Sequence, residues 1–518
     1  MLHKLLGVLI GAFAFAGFAS AEAPIVRTHV GPVQGVEQGD ANAYLGIPYA
    51  AAPIGDLRWR APQAPQRWRA VRQTNAFGAS CPQPQFPIPG AAQPTTSEDC
   101  LFLNIWAPKN ASGRRLPVMF WIHGGSYIVG SGNLADTSAF TRDGVVLVSL
   151  NYRLGRLGFF AHPALSAANA DNGLLGNYGI LDQIAALRWV KENIARFGGD
   201  PNNVTIFGVS AGATFTDMLM YSPLSEGLFH RAIAESDPFT QPWPYLASMN
   251  RAGERSAESN GEAWAASVGA ANASVAQLRA IPAERALAGP NDANAQGVKP
   301  LIDGRILPER GPEAFAAGLA HRVPYIVGGN SYEGSLSAVY TTDPTALVAA
   351  FGANGPAILQ AYGPAIAGNP ALLGATITGD TAFLAPRRIA ARQAAAHGVP
   401  TWSYHFAYVP EALRATVPGA GHGSEVPFVF ESFQQSPMTP YAASDSDRAM
   451  ARQVHAYWIN FAKTGNPNGA GLADWPQFSP SSETIITFNN DGVRTVNGFR
   501  NDLYDLIEPS VIGQRLTR

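Results

Sequence analysis

The sequence predicts an α/β fold: a mostly parallel β-sheet covered on both faces by helices. Three observations carry this. Apolar, β-favouring runs recur along the chain, among them "RLPVMFWIHGG", "DGVVLVSLNYR", "VTIFGVS" and "VPYIVGGNS". Helical patterns fill the spaces between them, and apolar strands separated by helices are what a sheet buried on both faces requires. Of the 518 residues, 46% are hydrophobic and only 14% charged, a composition able to bury a large core. The net charge of −2 and the lack of any basic run argue against a nucleic-acid partner.

The N-terminus stands apart. In "MLHKLLGVLIGAFAFAGFASAEA", Lys4 precedes an apolar run from Leu5 to Phe18, followed by the small residues Ala19 and Ala21. The run is short for a membrane span, which takes about 20 residues. It reads as a signal peptide over 1–21, leaving one domain over 22–518 exported to the periplasm or beyond the cell. No later segment has the length and apolarity of a span.

Strands and helices are expected to alternate from about residue 24. The two cysteines, Cys81 and Cys100, enclose the proline-rich "CPQPQFPIPGAAQPTTSEDC". In an exported protein two nearby cysteines are expected to pair, tethering this stretch as a surface loop; two reduced, buried thiols are the alternative. Neither cysteine has metal-ligand spacing. Further on, "GILDQIAALRWVKENIARFGG" repeats Ile184, Leu187, Trp189, Val190 and Ile194 near one face, with Gly198 and Gly199 ending the helix. "FHRAIAES" and "TWSYHFAYV" read as further buried strands. The Ala-rich helical segments between about 240 and 400 would form a cap beside the sheet.

The chemistry centres on "VTIFGVSAGATF". A strand runs into Gly208-Val209-Ser210-Ala211-Gly212 and then into a helix. Gly208 and Gly212 lack the Cβ that a tight bend would reject. Ser210 would sit at the sheet's C-terminal edge, near a helix N-terminus that favours developing negative charge. A serine hydroxyl needs a base, and the base an orienting carboxylate. Six histidines follow it: His230, His321, His397, His405, His422 and His455. His422 lies in the glycine-flanked loop "PGAGHGSEVPFVF"; His405 falls in a strand and His455 in a helix, both as packing residues. Glu333, just past the "VPYIVGGNS" strand, is the expected acid. Asp303 reads as a turn residue, and Glu425 follows the histidine too closely. In "WIHGGSY", Gly125 and Ser126 would join Ala211 as backbone donors of an oxyanion hole.

These residues, with "YLGIPYAAAPIG", "SEDCLFLNIW", "NYRLGRLGFF" and "GHGSEVPF", make the chain similar to the type-B carboxylesterases across nearly all of its mature length. The resemblance implies the α/β-hydrolase fold with cap insertions and a serine carboxylesterase acting on small-molecule esters without metal or organic cofactor. It maps nucleophile, acid and base onto Ser210, Glu333 and His422, and the oxyanion donors onto Gly125, Ser126 and Ala211. It also implies the Cys81–Cys100 disulfide, the structural ion pairs Arg58–Glu98 and Arg153–Asp182, and a serine, Ser236, near the acid. Two departures stand out: Val209 where Glu is usual, and Asp237 where Gly is usual. The lost carboxylate, and the lack of a tryptophan between the cysteines, argue against choline esters. A lipase, amidase or polyester hydrolase would use the same triad. A non-catalytic binding protein of this family would generally lack one of the three residues. Oligomeric state is not legible.

Overall fold

The computed structural model describes residues 21–85, 93–134, 136–247, 255–287, 298–338, 343–433 and 441–513. The expected signal peptide lies, except for Ala21, outside them, as does part of the loop between the cysteines.

The strands are β1 (Glu22–Arg27), β2 (Pro32–Gln38), β3 (Ala41–Pro48), β4 (Arg72–Gln73) and β5 (Phe102–Pro108). Next come β6 (Leu116–Ile122), β7 (Val146–Leu150), β8 (Phe159–Phe160), β9 (Gly176–Asn177) and β10 (Gly199–Val209). The last are β11 (Arg231–Glu235), β12 (Tyr325–Asn330), β13 (Thr401–Phe406), β14 (Thr484–Asn489) and β15 (Gly492–Asn497). The large sheet runs β1-β2-β3-β5-β7-β6-β10-β11-β12-β13-β14-β15, with β4 beside β2. From β7 through β14 the pairs are all parallel.

The expected alternation from residue 24 does not hold at the start. Strands β1, β2, β3 and β5 pair antiparallel, and among the described residues the first α-helix begins only at Ser138. The reason is connection length. β2 and β3 are joined by Gly39 and Asp40, with Gly39 at φ 56°, and so short a turn permits only a hairpin. Parallel pairing begins where crossovers are long enough to hold a helix.

In the parallel part, successive side chains enter two separate cores. Val118, Phe120, Ile122, Val148 and Ile206 pack on one face of the sheet; Met119, Trp121, Leu147 and Phe207 pack on the other. This is the two-residue period of a strand with both faces covered, and each such side chain contributes about 1.5–3 kcal/mol by burial. The helix read from the sequence spans Tyr178–Asn193, tightens to a 3₁₀ turn through Phe197, and stops at Gly198 with φ 85°. The expected cap region supplies helices after β11 (Ala257–Ser267, Val275–Arg279, Ala283–Leu287, Gly311–Ala316) and after β12 (Pro344–Ala349 through Ala385–Ala396). The parallel strands carry their C-terminal ends, and the loops that follow β6, β10, β12 and β13, to one edge of the sheet.

Candidate active site

Strand β10 ends at Val209 and a helix spans Ala211–Tyr221, leaving Ser210 alone at the corner with φ 58° and ψ −122°. A non-glycine residue in that region costs about 1–3 kcal/mol and persists only when its surroundings dictate it. Here they do. Ser210 N–H donates to Glu235 O at 2.8 Å, and Thr214 N–H donates to Ser210 O at 3.0 Å. A Cβ on Gly208 would lie 2.5 Å from Ile122 O, and one on Gly212 would lie 2.1 Å from the same atom. Both glycines are therefore required by backbone-to-backbone packing against the end of β6. That packing brings the loop after β6 to the serine: a Cβ on Gly124 would stand 3.3 Å from Ser210 Cβ.

The loop after β6 takes an unusual path. Gly125, Ser126 and Tyr127 have φ of 108°, 55° and 67°. Ile128 and Val129 N–H both fold back onto Gly125 O at 3.0 Å. Among the described residues, the N–H groups of Gly125 and Ser126 have no acceptor within the protein. His123 anchors the start of the loop. Its ring stacks on Tyr152 at 4.2 Å and contacts Gly124 O at 2.8 Å, and burial pushes its pKa down to about 4, so it is neutral.

Glu333 and His422 meet directly. His422 Nδ1 lies 2.5 Å from Glu333 Oε2. Glu333 Oε1 accepts from Ser236 Oγ and from Asn330 N–H, each at 2.6 Å. The two loops are stitched together by Tyr332 N–H to Ala420 O (2.8 Å), Ala420 N–H to Ser331 Oγ (2.9 Å) and His422 N–H to Ser335 Oγ (2.9 Å). His422 Nε2 is buried and has no hydrogen-bond partner. Burial would lower the pKa of His422; the Glu333 carboxylate more than offsets this, and the net direction is upward. A Cβ on Gly423 would stand 3.9 Å from Val209 Cγ2, and one on Gly124 3.4 Å from Val209 Cγ1. The Val209 side chain thus lies between the histidine loop and the loop after β6, on the floor of the site.

Sequence reasoning missed three features. Glu425, set aside as the acid, is fully buried beside it: Oε2 accepts from Asn330 Nδ2 at 2.5 Å and Oε1 faces Ser236 Oγ at 3.4 Å. Burial, then the nearby Glu333 charge, push its pKa up to about 7. Glu235 is buried behind it, accepting from Trp458 Nε1 at 2.7 Å. Finally, a π-helical turn at Asp380–Leu384 sets Phe383 against the His422 ring, centroids 4.8 Å apart. Only the "GHGSE" run hinted at Glu425; the other two depend on chain packing far apart in sequence.

The remaining candidates fall elsewhere. Asp303 accepts from Arg305 and Ile306 N–H at 2.7 and 2.6 Å, the turn role expected of it. His321 and His397 contact backbone carbonyls, and His230 Nδ1 accepts from Val204 N–H. His405 is buried against Phe499. His455 is more than a packing residue: Nδ1 contacts Val429 O at 2.6 Å and Nε2 contacts Asp143 at 3.1 Å. Asp143, Glu431 and His455 would suit a cation, but Arg142 already donates to both carboxylates, at 2.6 and 2.8 Å. Cys81 and Cys100 form a disulfide, and Arg58–Glu98 and Arg153–Asp182 are ion pairs.

Comparison with known proteins places the chain in a family. The model of the carboxylesterase family matches residues 22–354 and 374–507. The fumonisin B1 esterase of Sphingopyxis macrogoltabida is 38% identical over 93% of this chain and 90% of its own. The para-nitrobenzyl esterase of Bacillus subtilis is 34% identical over 90% and 96%. Among solved structures, a PNB esterase superposes with a TM-score of 0.78 at 30% identity, covering 93% of this chain and 99% of its own. A carboxylesterase of Geobacillus stearothermophilus superposes with a TM-score of 0.77 at 33% identity, with the same coverage. The chain belongs to the carboxylesterase family, has the α/β-hydrolase fold, and is a carboxylic-ester hydrolase.

Proposed function

We propose that Ser210, His422 and Glu333 carry the hydrolysis in two steps. His422 Nε2 takes the Ser210 proton as Oγ attacks the ester carbonyl. The oxyanion is held by the N–H groups of Gly125, Ser126 and Ala211, the last at the start of the helix whose dipole favours negative charge there. His422 then protonates the leaving alcohol. Water, deprotonated by the same nitrogen, attacks the acyl-enzyme and releases the acid. Glu333 holds the tautomer that leaves Nε2 open and stabilises the protonated ring. The observation that carries this reading is the Glu333–His422 bond with Nε2 unpaired, in a loop seated against the residue before a strained serine.

The substrates in this reading are small carboxylic esters of neutral or acidic acyl groups, because Val209 puts an apolar surface on the floor of the site. Relatives named as a fumonisin B1 esterase and a para-nitrobenzyl esterase support ester substrates for this chain. The test is kcat/KM on p-nitrophenyl esters of increasing chain length, alongside anionic and cationic esters. Measurable turnover of the neutral and anionic esters supports the reading; turnover confined to cationic esters contradicts the substrate range.

The same reading places residues 1–21 as a cleaved leader and 22–518 as a single exported domain. The Cys81–Cys100 disulfide supports it, since such bonds persist in oxidising compartments. N-terminal sequencing of protein from an exporting host should begin near Glu22. An intact Met1 in that material would contradict it.

A further inference from the structure

Behind the nucleophile helix lies a pair of acids that the mechanism above does not use. Asp217, on that helix, and Asp237, just past β11, are each 2% exposed. Asp217 Oδ1 accepts from Tyr325 O–H at 2.8 Å, and Asp237 Oδ1 accepts from Thr214 O–H at 2.6 Å. Thr214 stands one helical turn before Asp217 and donates to Asp237, which brings the two carboxyl groups side by side. Each keeps one oxygen, Oδ2, for which no N–H or O–H of another residue is a donor. A contact between two carboxyl groups is a hydrogen bond only if one of them carries a proton. The surroundings enforce that state. Tyr325 reaches the pair from β12. Burial, then the Asp237 charge, hold Asp217 well above the carboxylate range; burial holds Asp237 at about 6.

From this pair a chain of hydroxyls leads to the oxyanion loop. Tyr127 O–H donates to Thr214 Oγ1 at 3.1 Å, and Thr214 O–H donates in turn to Asp237 Oδ1 at 2.6 Å. Tyr127 is the residue after Ser126, and both sit at positive φ. Such a backbone needs anchors. Tyr127 has its ring edge-on to Phe215 and Trp243, at 5.4 and 5.6 Å, its carbonyl on Gly155 N–H at 2.8 Å, and this hydroxyl chain.

We propose that Asp217 and Asp237 share one proton and act as a positioning pair, fixing Thr214 and Tyr127 so that the Gly125 and Ser126 N–H groups point at the nucleophile. Asp237 is then a positioning residue acting through Thr214 and Tyr127. The inference rests on the oxyanion role given above to Gly125 and Ser126.

One shared proton makes a pattern of variants diagnostic. In Asp217→Asn the amide N–H replaces the shared proton and the amide oxygen still accepts from Tyr325. In Asp237→Asn the amide donates to an ionised Asp217 and its oxygen still accepts from Thr214. In the double Asn variant two NH₂ groups face each other, and a flip relieves this only by leaving the Tyr325 hydroxyl hydrogen unpaired or by turning the Thr214 hydroxyl away from residue 237 onto Ser210 O, 3.4 Å away. The measurement is kcat and KM on a p-nitrophenyl ester, normalised by the burst of p-nitrophenol so that only folded sites count. Each single variant should keep kcat within about threefold of wild type, while the double variant loses about tenfold or more in kcat with KM changed little. Single variants as impaired as the double one, or a double variant with wild-type kcat, would overturn the proposal. Should the double variant not fold, Tyr127→Phe decides: a loss of about tenfold in kcat is expected, and an unchanged kcat overturns it. A failure of the triad reading is distinguishable, because it would appear as acylation at a residue other than Ser210 in the wild-type enzyme.

Discussion

The Ser210 corner and the carboxylate cluster behind His422 adjoin in space, Ser210 N–H donating to Glu235 O, but are built in opposite ways. The corner is local. Its five residues, Gly208 to Gly212, are fixed by steric necessity, because two missing Cβ atoms let one backbone lie on the carbonyl of Ile122. The cluster is assembled from afar. Ser236 and Glu333 are separated by 97 residues, Asn330 and Glu425 by 95, and Ser236 and Glu425 by 189. A corner fixed by sterics should respond to substitution as a switch, whereas a network of shared hydrogen bonds should respond in grades. That difference can be broken or sharpened experimentally.

The largest effect belongs to the corner. Ser210→Ala should lower kcat by about 10⁴–10⁶-fold with the fold intact, measured by steady-state kinetics alongside circular dichroism. Glu333→Gln should come next, at about 10³–10⁴-fold in kcat, because an amide favours the wrong His422 tautomer. If Glu333→Gln costs less than tenfold, the carboxylate does not hold the base.

The pH profile comes third. In the proposed mechanism His422 must be neutral to take the serine proton, and its pKa is raised above the ordinary histidine value. The acid limb of kcat/KM should therefore fall tenfold per pH unit with its midpoint above 6.5. A midpoint below that value would contradict the Glu333 contact.

Glu425 should show a graded effect on stability. Its folded pKa, about 7, exceeds the 4.5 of an ordinary glutamate, so the folded state binds its proton more tightly. The stability this group contributes is full below about 4.5 and lost as pH rises through about 7. Glu425→Gln removes the titration. Its melting temperature relative to wild type should climb by about 1–3 °C between pH 5 and pH 8. A difference constant with pH would mean that Glu425 does not titrate in this window.

Much of this site is legible before any folding is considered, and the comparison explains why. Ser210, Gly208 and Gly212 announce themselves because the constraint that fixes them acts between near neighbours. Glu333 and His422 are readable only as loop residues after buried strands, and their pairing is supplied by the register that sets β12 beside β13. Glu235 is not readable from the sequence as part of the site, and Glu425 is hinted at only by the "GHGSE" run. Their burial depends on Trp458 and Asn330, which arrive from distant helix and strand positions. In the fold, the parallel core followed from its apolar runs. The antiparallel start did not, because the hairpin at Gly39–Asp40 lies in a stretch where partly exposed strands carry a weaker apolar signal.

Val209 is where the smallest effect is expected, since its side chain lies between the loop after β6 and the histidine loop. Val209→Glu would add a charge whose repulsion of an anionic acyl group is about 1–3 kcal/mol at an effective dielectric of about 20. The kcat/KM for an anionic ester should therefore fall most, and that for a cationic ester least. Equal losses on neutral, anionic and cationic esters would assign residue 209 to packing alone.

The central claim is that Ser210 becomes the acylated atom. An organophosphate, or a slowly deacylating p-nitrophenyl ester trapped at low pH, should leave one adduct per chain, and peptide mass spectrometry should place it on Ser210. An adduct on any other residue, or full turnover with no covalent intermediate on this peptide, would contradict the account.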